Sequence, residues 1–348
     1  MKHYANVSFT KIRLALILLI VLMLVTYCKK ESSDRIIMTV NGPLPASLLG
    51  ISLTHEHILV DFIGADSVNE SRWDREEVIN VALPFIRHIK DLGCTSFFEC
   101  TPSYLGKDPL ILKALSDSTG MNFITNTGYY GAGQNAKYIP DHGFIESADR
   151  LAQRWIKEWK EGINGTGIKP GFIKIAVNGT PLTDMDIKLV KAAALTHLET
   201  GLTIASHTGP AVLAFEEIEI LKNEGVSPEA FIWVHAGNEK DIEKLIEGAI
   251  EGAWISIDNL NENNVSEIAS KVNALRINNL LNKVLISHDA GWYDPAMENG
   301  GEYRGYNTLF EKLIPALKVE GLTEEEINTL LVKNPAHAFQ ISIRKLRN

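Results

Sequence analysis

The chain alternates eight times between short apolar segments and longer amphipathic ones. The apolar segments have the length and composition of buried strands, whereas the segments between them repeat apolar residues at helical spacing. The predicted strands are 51–60, 95–101, 122–129, 171–178, 202–208, 231–237, 254–260 and 284–290. The predicted helices are 74–91, 108–118, 146–161, 184–200, 211–224, 239–249, 264–281, 305–319 and 324–332. This alternation predicts an α/β fold, and eight strands favour a (β/α)8 TIM barrel over an open sheet.

The segments before the first predicted strand and after the last one also show recognisable elements. Residues 36–40 and the turn after them predict a small hairpin ahead of the first barrel strand. Thr323 and Glu326 have capping-box spacing, and Pro335 is expected to close the last helix. Because no internal boundary or repeat is visible, we expect one domain over 36–348.

The first residues differ in kind from the rest. Basic residues, among them Lys2 and Arg13, precede the continuous apolar run 14–25, and Cys28 follows shortly after it. The run is shorter than the apolar stretch that a membrane-spanning helix needs, and it is typical of a signal peptide. We expect residues 1–27 to be a lipoprotein signal peptide, Cys28 to be lipidated, and 28–35 to be a tether. The alternative is an uncleaved anchor, and both place the domain outside the cytoplasm on a bacterial membrane.

Charge and cysteine content exclude some other classes of protein. Residues 1–27 hold three basic and no acidic side chains, so their removal moves the formal net charge from −9 to −12. No basic stripe is visible, so nucleic acid is not an expected partner. Cys94 and Cys100 are the remaining cysteines and are expected to be buried free thiols.

Five of the predicted strands carry a polar residue that can bind a metal, at or near the strand end. They hold His55 with His57, Lys174, His207, His235 and Asp289. A polar group in a buried strand must be paired, bound to a metal, or functional. Because barrel strands end together at one face, we expect these side chains to converge there. Imidazoles and a carboxylate suit Zn²⁺ or a similar divalent ion at a catalytic site.

Local spacing strengthens this interpretation. His55 and His57 lie two residues apart on a strand, so both imidazoles point to the same side. Glu56 and His288 point the other way and are expected to be structural. Lys174 could be a satisfied core lysine, or its neutral amine could add CO₂ to give a bridging carbamate ligand.

The expected chemistry is hydrolysis by activated water. A bound divalent metal lowers the pKa of water to about 7, and two ions can share a hydroxide. A Ser-His-Asp hydrolase is the rival mechanism, but the chain has no G-x-S-x-G element.

From Ile37 to Phe339 the sequence resembles the phosphotriesterase family of the amidohydrolase superfamily. The resemblance is carried by Gly50 to His57, Gly171 to Lys174, the His207 and His235 segments, His288-Asp289 and residues 334–339. It implies a binuclear centre in which His55, His57 and Asp289 hold one ion, and His207 and His235 hold the other. Carboxylated Lys174 and a hydroxide would bridge the ions, which are expected to be Zn²⁺, and Asp289 would accept the proton.

The substrate pocket matches the family less closely. Tyr130, Asn259 and Trp292 are the expected substrate-binding residues, and Asn238 stands where organophosphate hydrolases of the family have an acid. We therefore expect an ester or lactone substrate, with aryl phosphotriesterase activity as the alternative. A non-catalytic ligand-binding lipoprotein is the second alternative. The expected partners are a small-molecule substrate, the membrane through the N-terminal lipid, and a second copy of the chain in a homodimer.

Overall fold

The eight predicted strands are present, and each runs parallel to its neighbours. The computed structural model describes residues 35–347, so the predicted signal peptide and Cys28 lie outside the described residues. The strands are β1 (Ser52–Glu56), β2 (Ser96–Glu99), β3 (Asn122–Ile124 and Asn126–Thr127), β4 (Phe172–Ala176), β5 (Ile204–His207), β6 (Phe231–Val234), β7 (Trp254–Ile257) and β8 (Val284–Ile286). An antiparallel hairpin, Ile36–Thr39 with Gly42–Pro45, precedes them as predicted. The chain is thus a TIM barrel.

Helices follow the strands in alternation. They are Arg75–Asp91, Pro109–Thr119, Asp141–Ile145, Ala148–Glu161, Asp184–Thr200, Ala211–Asn223, Ile242–Glu251, Val265–Ile277, Ile314–Val319, Glu324–Asn328 and Asn334–Phe339. Two π-turns lie near the C-terminus: Leu309–Leu313 leads into the helix Ile314–Val319, and Thr329–Lys333 leads into the helix Asn334–Phe339. Thr323 and Glu326 form the predicted capping box. Within residues 35–347 no helix is both long and apolar enough to cross a membrane.

The prediction that Pro335 ends the last helix is wrong. Proline lacks the N–H that a helix interior needs, but it is tolerated in the first turn of a helix. The π-turn Thr329–Lys333 loosens the helical hydrogen bonding, and a new helical segment begins at Asn334 with Pro335 in its first turn.

The strand ladder divides into two sheets at β3. The first segment of β3 pairs with β2, and the second pairs with β4, so Thr125 separates a three-stranded from a six-stranded sheet. The ladder of the described residues is therefore not continuous around the ring. Thr125 still contributes its carbonyl oxygen, which accepts from Gly171 N at 2.7 Å.

Side chains join β8 to β1 where regular strand pairing is missing. The Ser287 hydroxyl oxygen accepts from the backbone N–H groups of Thr54 at 2.7 Å and His55 at 2.9 Å. The Glu56 carboxylate accepts from His288 N, His288 Nδ1 and Ala290 N at 2.7 to 3.0 Å. Glu56 and His288 are thus structural, as their strand direction predicted, and they fix the first strand against the last.

An aromatic cluster fills the barrel at the amino ends of the strands. Phe98 and Phe172 point inward from β2 and β4, and Phe339 enters from the last helix, with ring centroids 4.0 Å and 5.4 Å from theirs. Ile37 of the hairpin packs in the same buried cluster. The hairpin and the C-terminal helix therefore close this end, and the opposite end holds the polar residues. Cys94 and Cys100 are buried free thiols, as expected.

Candidate metal centre

All six predicted metal-site residues lie around one cavity at the carboxyl ends of the strands. The cavity has a volume of about 80 Å³. Its lining residues are His55, His57, Val60, Phe62, Leu105, Tyr130, Lys174, His207, His235, Asp289 and Trp292. The barrel therefore brings together side chains that are as far apart in sequence as β1 and β8.

Two of these residues have a left-handed backbone just beyond their strands. His235 has a φ of 62° and Asp289 a φ of 53°, values that cost non-glycine residues free energy and often mark functional positions. These turns end β6 and β8 earlier than the sequence predicted and direct both side chains over the barrel mouth. Gly291 then passes so close to β1 that a Cβ there would lie 1.9 Å from His57 O.

Asp258 fixes the orientation of two imidazoles. It is fully buried at the end of β7, and its carboxylate accepts from His55 Nδ1 at 2.9 Å and from His235 Nδ1 at 2.8 Å. Because each Nδ1 carries the proton, each Nε2 carries a lone pair. A carboxylate that holds a histidine through its second nitrogen is the usual support of a metal-binding imidazole.

Thr101 gives His57 the same tautomer. The Thr101 hydroxyl lies 3.0 Å from the Leu59 carbonyl oxygen, which can only accept, so the hydroxyl donates to it. The hydroxyl oxygen therefore accepts from His57 Nδ1 at 2.8 Å. The Nε2 lone pair of His57 then faces Asp289 Oδ1 at 3.1 Å. Two acceptors at this distance require a cation between them or an additional proton.

Lys174 is buried beside these acceptors. Its side chain is 1% exposed, and Nζ lies 3.4 Å from His55 Nε2. Within the described residues it has no carboxylate within 4 Å. A buried ammonium without a counter-ion is costly.

His207 and His235 face each other across the cavity. His207 Nδ1 lies 2.8 Å from His235 Nε2, and because the latter is an acceptor, His207 donates this bond. The Tyr130 hydroxyl lies 3.1 Å from the same His207 nitrogen and 3.4 Å from Nε2. An ion held by both imidazoles would replace their mutual hydrogen bond.

The electrostatics favour neutral imidazoles at His55 and His207 beside an ionised Asp289. Burial, aided by the charge of Lys174, lowers the pKa of His55 to about 4, and burial beside His235 lowers the pKa of His207 well below 6.5. Burial alone would raise the pKa of Asp289, but His55 and His57 outweigh it and hold this pKa well below its usual range. The pKa of His235 is raised, because Asp258 outweighs the effect of burial.

The donor set fits a divalent metal ion. One group that could hold an ion is His55, His57 and Asp289, and a second comprises His55, His235 and Asp258. The first group opens into the cavity with free lone pairs. In the second group the Asp258 oxygens already accept from both imidazoles, so we regard Asp258 as their support rather than a ligand.

The walls of the cavity are apolar and aromatic. Trp292 packs edge-on against His57 with ring centroids 5.9 Å apart and against Phe62 at 5.7 Å, while Tyr130 lies against His207 at 5.1 Å. Asn259 does not line the cavity, and its amide donates to Asn238 Oδ1 at 2.7 Å. Substrate contact by Tyr130, Trp292 and Asn259 stays a prediction, and Asn259 would need a rearrangement to reach the cavity.

The sequence interpretation did not identify Asp258 and Thr101 as supports of the histidines. Asp258 ends the apolar segment 254–257, which is the same signal that identified Asp289. Thr101 gave no comparable signal, because a threonine at a strand end is ordinary. Only the contact with a strand distant in sequence distinguishes it.

Comparison with known proteins agrees with this geometry. The model of the phosphotriesterase family matches residues 36–339. The chain is 29% identical over 298 residues to a phosphotriesterase homology protein of Escherichia coli, covering 84% of this chain and 98% of that one. It is 28% identical over 307 residues to an aryldialkylphosphatase of Saccharolobus solfataricus, covering 84% and 95%. It is 24% identical over 344 residues to an N-acetyltaurine hydrolase of Rattus norvegicus, covering 86% and 96%. The chain belongs to the phosphotriesterase family.

Proposed function

We propose that this protein is a hydrolase that uses two divalent metal ions, with Zn²⁺ as the first candidate, to cleave an ester or lactone. The observation that carries the proposal is the pair of facing acceptors at the cavity floor. His57 Nε2 and Asp289 Oδ1 lie 3.1 Å apart, and the hydrogen bonds of Thr101 direct the lone pair of His57 toward the carboxylate. A divalent ion removes this conflict.

Six side chains would hold the two ions. His55, His57 and Asp289 would hold one, and His207 and His235 the other. Lys174, carboxylated on Nζ, would bridge them. When bound, the ions supply a water of lowered pKa and polarise the bond to be cleaved. The missing counter-ion of Lys174 supports the modification, because a carbamate would replace a buried positive charge with a negative one that the ions neutralise.

The chain's own residues handle the proton and the substrate. Asp289 is the general base in this proposal, because its carboxylate is ionised, and its side chain is 22% exposed and so reaches the cavity. Trp292 and Tyr130 would bind the apolar part of the substrate and exclude water from the reacting bond. The tautomers set by Asp258 keep the lone pairs of His55 and His235 available throughout.

The cavity supports a small substrate with an apolar group. Its volume of about 80 Å³ suits a compact ester or lactone better than a large one. The substrate panel should also cover the classes named by two relatives, an aryldialkylphosphatase and an N-acetyltaurine hydrolase. An aryl phosphotriester and an N-acyl amide are therefore the competing substrate classes.

The metal requirement can be tested by exchange of single ligands. His57→Ala should lose at least one ion per chain by elemental analysis and nearly all hydrolysis. His88→Ala is the matched control, because that imidazole is about half exposed and lies beside Glu311 away from the cavity. Full activity in a metal-free His57→Ala protein would exclude the proposal.

The substrate class can be tested with a matched panel. Purified protein loaded with Zn²⁺ or Mn²⁺ should show its highest kcat/KM on a lactone or carboxyl ester. A highest value on an aryl phosphotriester or an N-acyl amide would move the assignment to that class. The non-catalytic alternative predicts metal-replete protein that turns over nothing, yet is thermally stabilised by one ligand of the panel.

A further inference from the structure

The end of the barrel opposite the metal centre carries a concentration of basic side chains. A cavity of about 1080 Å³ lies there, and its lining includes Pro228, in the short turn before β6, and Lys283, directly before β8. We call this surface the basal face. Its charged residues are Arg35, Lys222, Lys283, Arg344, Lys345 and Arg347 against Glu229 and Glu251. Six basic and two acidic groups contrast with the net charge of −9 of the whole chain.

Several of these basic groups are not used within the fold. Lys222 pairs with Glu219 and Glu251, and the Arg344 guanidinium donates to Thr203 Oγ1 and to backbone carbonyls. In the part of the chain that the structure describes, Arg35, Lys345 and Arg347 are exposed and form no ion pair. Their charges are therefore available to an external partner.

Large apolar side chains protrude among these charges. Ile250 is 70% exposed, Ile343 is 48% exposed and Leu346 is 40% exposed, and all three line the basal cavity. A surface that binds only soluble anions has no need of exposed aliphatic groups. Basic residues interspersed with protruding apolar ones fit the interface of an anionic bilayer, where headgroups meet acyl chains.

The path of the chain points to the same partner. Arg35 is the first described residue, and it lines the basal face. The preceding sequence contains Lys29 and Lys30 and, before them, the apolar run 14–25. A membrane attachment in that region would hold the basal face, rather than the metal centre, next to the bilayer.

We propose that the basal face docks the barrel onto the surface of an anionic phospholipid bilayer, with the metal centre facing away from the membrane. Docking is distinct from tethering, because a tether alone leaves the barrel free to rotate above the surface. A basic side chain near an anionic surface contributes roughly a fivefold increase in binding. Two unpaired basic residues are thus enough to shift a tethered domain toward the docked orientation.

The full chain can be tested in nanodiscs by hydrogen–deuterium exchange. One set of discs contains phosphatidylcholine alone, and the other contains one-third phosphatidylglycerol. The wild type and the variants share the same N-terminal segment, so differences between them report docking alone. We expect backbone exchange in 249–252 and 341–347 to slow at least about threefold in the anionic discs, and to return to the neutral value at high salt. Exchange in the loop 296–303, which follows β8 and does not line the basal cavity, should not differ.

Charge reversal provides the matched comparison. Lys345→Glu with Arg347→Glu should abolish the protection, because it removes two attractive charges and adds two repulsive ones. Lys240→Glu with Lys312→Glu changes the net charge equally on exposed positions outside the basal face, and should retain the protection. Equal exchange of the wild type in both discs, or equal loss in both variants, would overturn the proposal. Activity on a soluble substrate should be the same for the wild type and both variants in either kind of disc.

Discussion

In the proposed metal centre, Asp258→Asn should remove His55 as a ligand while leaving His235 in place. An asparagine has one acceptor oxygen and one amide nitrogen, so it cannot accept from both imidazoles. The Oδ1 position accepts from His235 Nδ1, and the backbone N–H of His235 lies 3.1 Å from both oxygens, so it does not distinguish the two positions. The Oδ2 position faces His55 Nδ1 and the Ser256 hydroxyl, which can rotate to accept. The amide nitrogen should therefore occupy the Oδ2 position.

This placement inverts the tautomer of His55. Its Nδ1 must accept from the new amide, so the proton moves to Nε2 and the lone pair that faced the cavity is lost. Loss of such a supporting contact typically costs about 10–100-fold in metal affinity, or about 1.4–2.7 kcal/mol. We expect this loss for the ion that His55 holds, with kcat/KM reduced at least as much.

The assay combines metal titration with nuclear magnetic resonance of ¹⁵N-labelled imidazoles. Elemental analysis at increasing metal concentration should show one weakened site, and the imidazole spectrum should show His55 protonated at Nε2. Asn259→Ala, the adjacent change, should leave both readouts as in the wild type. An Asp258→Asn protein with unchanged metal affinity, kcat/KM and His55 tautomer would refute this reasoning.

Three further changes test the fold around the site. Phe339→Ala opens a cavity in the aromatic cluster and should lower the free energy of unfolding by about 3–5 kcal/mol in urea titrations; a loss below about 1 kcal/mol would contradict a packed core there. Glu56→Gln turns an amide toward the N–H donors of His288 and Ala290, and should cost about 1–3 kcal/mol in the same assay; no loss would show that the β8–β1 seam does not depend on this carboxylate. Burial raises the pKa of Glu217 to about 8, so its proton is bound more tightly in the folded state and stability should fall as pH rises from about 4.5 to about 8. Glu217→Gln should flatten that dependence by on the order of 2 kcal/mol in thermal unfolding across the range, and an unchanged slope would exclude Glu217 as its source.

The sequence determined the architecture and predicted most of the residues that converge at the candidate metal centre. Strand and helix periodicity reports which side chains are buried, and eight alternations leave few folds besides a barrel. A polar residue is rare at the end of a buried strand unless a hydrogen bond, an ion pair or a bound metal compensates for its burial. His207, His235 and Asp289 could therefore be identified one strand at a time, because each signal is local.

The tertiary structure decided how these residues are held and which surfaces lie around them. Asp258 contacts His55 from a strand about two hundred residues away, and Glu56 joins β1 to the turn after β8 only because the ring brings the two ends together. The tertiary structure also set the orientation of Asn259. Its side-chain amide donates to Asn238 in the loop after β6 and therefore points away from the cavity. Periodicity records the burial of each residue along one element. It contains no information on which distant partner satisfies a buried donor, because that choice is made when the strands close into a barrel.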